Sequence, residues 1–84
     1  MSEFKGKTYR IGGNRTTFIE RLREEGFDYS KERVAVTYPG VAEEVANLTW
    51  RLPCFLIIPT DDEKRDSQPL KNARQRLRDL ADKF

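Results

Sequence analysis

The side chains that most often do chemistry are scarce in this chain. It has no histidine and a single cysteine, Cys54. Histidine is the commonest general base near neutral pH, and zinc sites in small domains combine cysteines with histidines. Both roles are closed, which leaves only the rarer carboxylate or lysine chemistry. Cys54 opens an apolar run and has no histidine to lower its pKa. A small buried hydrophobe is therefore expected there rather than a thiolate nucleophile. A lone cysteine cannot form an internal disulfide, which suggests a reducing, intracellular setting. The expectation is no metal, no cofactor and no enzymatic activity.

The charged residues offer more. Lys71, Arg74 and Arg78 stand at i, i+3 and i+7, one stripe of a helix, with Arg76 and Lys83 beside them. Such a stripe can lie along a phosphate backbone. The same pattern is also the solvated outer face of any amphipathic helix. Asp79 and Asp82 interrupt it, and Arg78 is within reach of Asp82. Lys5, Lys7, Arg10 and Arg15 make a second basic surface. If the stripe binds nucleic acid, reversing Arg74 and Arg78 to glutamate should abolish binding and leave the fold intact.

Three further features are weaker. Gly12-Gly13-Asn14 ahead of a helix could seat an anion on backbone N–H groups, with Arg15 reinforcing it. It matches neither nucleotide-loop fingerprint, and a tight strand-to-helix turn uses the same residues. The loop from Asp61 to Asp66 lacks the glycine and later glutamate of a calcium loop. It reads as a solvated loop, or as a mimic of phosphate charge for a basic partner. Tyr9, Tyr29, Tyr38 and Trp50 exceed what three short strands must bury. Aromatic residues beside arginines suit a binding hot spot or a single-strand platform.

The elements that position these residues can be read in part. The chain has 84 residues, enough for one domain over residues 1–84 and not for two. Phe4 to Ile11 reads as a strand, with lysines that mark an edge. Thr17-Phe18-Ile19-Glu20 fits a capping box, with Asn14 as a competing cap. Phe18, Ile19 and Leu22 give that helix an apolar face, and Gly26-Phe27 suits a Schellman ending. Asp28 to Glu32 reads as a polar turn. Arg33 to Tyr38 alternates as a strand and Pro39-Gly40 ends it.

Val41 to Leu48 carries good helix formers, Ala42, Glu43, Glu44 and Ala46, so a short helix is expected. Leu48, Trp50 and Leu52 also alternate like a strand. Cys54 to Ile58 is apolar at every position, which predicts a central strand covered on both faces. A final helix runs from about Ser67 to Lys83. Asp66 or Ser67 caps it, Pro69 sits in its first turn, and its seam is Leu70, Ala73, Leu77, Leu80 and Phe84. That seam spans about two heptads, short for a coiled coil.

The predicted fold is α+β, or small α/β. It has two layers and about three strands with three helices in β-α-β-α-β-α order, the C-terminal helix packed on the sheet. The longest apolar run is far below the about 20 residues a membrane helix needs. The stretch Met1 to Arg10 lacks the apolar core of a signal peptide. A cytoplasmic location is expected, or a nuclear one if the host has a nucleus.

Charged residues are 36% of the chain but the net charge is only +2, so local distribution decides the partner. With no nucleophile–base pair, metal set or cofactor loop, the leading expectation is a non-enzymatic interaction protein. It would be an adaptor or inhibitor, in the manner of small phage-encoded modulators, acting by surface binding to a macromolecular partner, a protein ahead of a nucleic acid. The alternative is a nucleic-acid-binding protein using Lys71, Arg74, Arg76 and Arg78. A monomer or weak homodimer is expected.

Overall fold

A computed structural model of the chain describes residues 6–84. In chain order the elements are β1 (Gly6–Arg10), a 3-10 turn (Gly12–Asn14), α1 (Arg15–Glu24), β2 (Asp28–Ser30), β3 (Ala35–Thr37), β4 (Ala46–Leu48), β5 (Phe55–Pro59) and α2 (Gln68–Lys83). The five strands form one antiparallel sheet in the order β1-β5-β4-β3-β2. β2 to β5 run as a meander, and β1 closes onto the far side of β5.

Two layers and a C-terminal helix on the sheet match the expected α+β class. The element count does not: the sheet has five strands, and two helices replace three. The expected helix from Val41 to Leu48 is instead an irregular stretch leading into β4. Pairing overrides propensity there. The Val45 amide donates to the Val36 carbonyl at 2.7 Å, and Ala46 and Asn47 stand opposite Val36 and Ala35. The expected polar turn from Asp28 to Glu32 starts as β2, a short edge strand on β3. The expected first strand is confirmed as an edge over Gly6–Arg10; Phe4 and Lys5 lie outside the described residues.

Both helices cover one face of the sheet. Phe18, Ile19 and Leu22 of α1 meet Leu70, Ala73, Leu77 and Leu80 of α2 in one core. The strands add the inward members of their alternation, Val36, Ala46, Leu48, Leu56 and Ile58. Seams at three- and four-residue spacing and strands at two-residue spacing therefore share one buried layer. α1 begins at Arg15, so Thr17 falls inside it, and Asn14 holds the N-cap position without a side-chain hydrogen bond. Its C-terminus is the expected Schellman ending. The Phe27 amide donates to the Leu22 carbonyl at 2.9 Å and the Gly26 amide to Arg23 at 3.1 Å. Gly26 has φ +94°, which only glycine adopts without strain. Ser67 caps α2 by accepting from the Leu70 amide.

Among the described residues, no helix lies on the opposite face of the sheet. β5 lies inside the sheet, but it is fully buried on one side only. Leu56 and Ile58 are buried, whereas Phe55, Ile57 and Pro59 are only partly covered. The uninterrupted apolar run was expected to mean cover on both faces. Here its outward members stand on an uncovered face, in register with Arg10, Thr8 and Asn47.

Candidate functional site

The basic stripe of α2 is turned onto carboxylates. Arg74 is only 7% exposed. Its guanidinium reaches Asp66 at 2.5 Å and Asp61 at 3.4 Å, and its Nε donates to the Val45 carbonyl. Arg78 pairs with Asp61 at 3.4 Å and donates to the Pro59 carbonyl at 3.2 Å. Asp82, its expected partner, pairs with Lys7 instead. Lys71 meets Glu63 at 3.2 Å.

The charged loop after β5 is therefore the counter-charge of α2, stapled to it and through Arg74 to the start of β4. The Asp62 amide donates to the Asp66 carboxylate. That bond, followed by the Arg74 guanidinium, holds the Asp66 carboxyl below the usual carboxylate range. Reversing Arg74 to glutamate would set a third carboxylate against Asp61 and Asp66. That substitution should therefore disturb the fold, whereas the sequence alone pointed to a solvated outer face. Among the described residues, Arg76 alone of the four has no carboxylate partner; it lies at 6.0 Å over the Tyr38 ring.

Several cations that have no ion-pair partner among the described residues, Arg10, Arg15, Lys31 and Arg51, lie toward the other end of the sheet. The connection from β4 to β5 is pinched shut at its base by Thr49. The Thr49 amide donates to the Phe55 carbonyl at 2.9 Å, and the Phe55 amide donates to Thr49 Oγ1 at 2.7 Å. Residues 50–54 project as a small loop that contains a cis Leu52-Pro53 peptide. Inside it, the buried Cys54 thiol donates to the Thr49 carbonyl. Burial pushes the pKa of this thiol up, as a small core hydrophobe requires. Leu52 at the tip is 64% exposed.

Trp50 anchors this end of the molecule. Arg15 lies over its ring at 4.5 Å and donates to its carbonyl. Lys31 lies over the same ring at 4.4 Å. Tyr29 stacks against it at 6.2 Å and donates its hydroxyl to the Leu48 carbonyl at 2.6 Å. Burial raises the Tyr29 pKa. On one side Trp50 walls an apolar groove of about 470 Å³ with Val34, Pro53 and Phe55. On its other side it walls a smaller cleft of about 230 Å³ with Ile19, Arg23 and Lys31.

Val34 shapes the groove at a cost. Its φ of +53° is left-handed, rare for a β-branched residue. Its carbonyl accepts from Asn47 Nδ2 at 2.9 Å, which fixes it beside β4. Strain of this kind concentrates where a fold must present a particular side chain. Arg51 lines the groove, and Arg10 stands directly across from Phe55 on the uncovered face. Among the described residues, no carboxylate lies within ion-pair distance of Arg10, Arg15, Lys31 or Arg51, whereas Lys71, Arg74 and Arg78 are all paired.

Of the second basic surface expected from sequence, Arg10 and Arg15 thus belong to the Trp50 end. Lys7 faces α2, and Lys5 lies outside the described residues. Sequence reasoning missed Lys31, Arg51, Leu52 and Val34. The outward half of the apolar run at Phe55 and Ile57 was the available signal. Among the described residues, no cluster of His, Cys, Asp or Glu could hold a metal ion, and no helix is long and apolar enough to cross a membrane. Compared with known proteins, the chain matches no family model, no curated protein and no solved structure.

Proposed function

We propose that this chain is a non-enzymatic binding domain whose working surface is the Trp50 end of the sheet, and that its partner is a protein. The observation that carries this is the coincidence of three things at one place. They are an exposed leucine, an apolar groove on the outer sheet face, and cations that lack carboxylate partners among the described residues. Large apolar side chains ringed by charge are the usual makeup of a contact surface. Maintaining a left-handed valine in the groove wall supports the same reading.

A nucleic acid ranks second as partner. The α2 stripe is neutralised by Asp61, Glu63 and Asp66, so a phosphate would have to displace an internal carboxylate. The Trp50 ring, the best stacking platform, is already taken by Arg15, Lys31 and Tyr29.

A photo-crosslinking amino acid placed at Leu52, and separately at the exposed Asn72 of α2, tests the proposal in the native host. Discrete protein adducts from position 52 and none from position 72 are expected. Adducts from position 72 alone, or nucleic acid as the sole adduct, overturn it.

A further inference from the structure

If the Trp50 end is the contact surface proposed above, its chemistry also indicates the kind of segment it receives. The groove is apolar on its walls, Val34, Pro53 and Phe55, and cationic on its rim, Arg10 and Arg51. A volume of about 470 Å³ is far too small for a domain. It suits one or two side chains of a segment laid across it. The rim cations are exposed and carry no carboxylate of their own among the described residues.

We infer that the groove receives an acidic protein segment, which seats one large apolar side chain between Val34 and Phe55 and sets its carboxylates against Arg10 and Arg51. Charge complementarity chooses this occupant. A basic segment would add like charges to Arg10, Arg15, Lys31 and Arg51, where repulsion at close range is costly. A neutral apolar segment would leave the rim without partners. A second copy of the chain is disfavoured on the same ground, because the two-fold contact would bring each cationic rim against itself. Glu20 lines the separate cleft on the other side of Trp50, and the acidic loop with Asp61 and Asp66 is already engaged by α2.

Trp50 is the only tryptophan in the chain and walls the groove, so its emission reports occupancy directly. The experiment is a selection of short randomised display peptides on the full chain, followed by titration of synthetic winners with Trp50 fluorescence as readout. The expected winners carry a large apolar residue flanked by Asp or Glu, and they shift Trp50 emission saturably. Replacing their apolar residue with serine should weaken binding about tenfold or more. The pair Arg10→Glu and Arg51→Glu, both on exposed side chains, should weaken it similarly and flatten its salt dependence. Lys64→Glu, in the loop before α2, should leave it unchanged.

Winners without acidic residues, or winners whose affinity ignores the Arg10 and Arg51 reversals, overturn this docking mode and leave the protein-binding proposal standing. If no peptide binds while labelled DNA or RNA binds at physiological salt, both fail.

Discussion

The left-handed backbone at Val34 invites a direct measurement, because it reverses the usual ranking of two small residues. An L-residue with a β-carbon pays about 1–2 kcal/mol for that conformation. Val34→Ala removes the side-chain methyls and keeps the β-carbon, hence keeps the strain. Val34→Gly loses the same contacts and one carbon more, but relieves the strain. Glycine also gains freedom in the unfolded chain, worth about 0.5–1 kcal/mol against the folded state. At an ordinary position alanine therefore wins by that amount. At φ +53° the balance inverts, and taking mid-range values leaves glycine ahead by about 0.7 kcal/mol.

For a domain of this size that difference moves the melting temperature by about 3–6 °C. Thermal and urea unfolding of the two variants, followed by circular dichroism in one buffer, reads it out. The comparison cancels the valine methyls, which both variants lack, and leaves the β-carbon as the only difference in packing. An alanine variant equal to or more stable than the glycine variant would refute the reasoning, and with it the claim that the groove wall is held under strain.

Two further outcomes follow from ionisation. Asp66 has a folded pKa below its unfolded one, so its contribution is present above the unfolded value and is lost as pH falls through the folded one. The melting-temperature gap between the native chain and Asp66→Asn should therefore narrow as pH drops below about 4; a gap constant down to strongly acid pH would refute the assignment. Cys54 is fully buried and its thiol pKa is raised, so it should resist a disulfide reagent near neutral pH and react at once in denaturant. Prompt reaction of the native chain would show that the 50–54 loop opens readily.

The elements that sequence reasoning found are those whose signal is local. α1 and α2 announce themselves by an apolar seam, and the Gly26-Phe27 and Ser67 boundaries by residues with a specific backbone role. β2 and β4 were hidden because their reason for being strands lies elsewhere in the chain. Asp28-Tyr29-Ser30 has the composition of a turn, and only the edge of β3 makes it extended. Ala42 to Ala46 has helix-forming residues, but Val45 is needed by Val36.

The candidate site was hidden for a related reason. A count of charges along α2 cannot reveal that Asp61, Glu63 and Asp66 fold back to cancel them. Nor can residues as distant in sequence as Arg10, Lys31 and Arg51 be seen as neighbours before the sheet order is known. Phe55 and Ile57 were visible, but an apolar strand position has the same appearance whether a helix or a partner covers it.

The placement of β1 beside β5 sets a timetable for the nascent chain. Residues 6–10 are synthesised before their pairing partners, residues 55–59, which follow only after roughly 50 residues, some 2–10 s at ordinary elongation rates of about 5–20 residues per second. The helix that seals the core, residues 68–83, comes later still. Until then the β2–β5 meander can assemble but cannot hide its inner face, and the early strand waits without a partner. Lys7 and Arg10 on that strand thus have a second use. Charge on an unpaired β-prone segment discourages association with other chains.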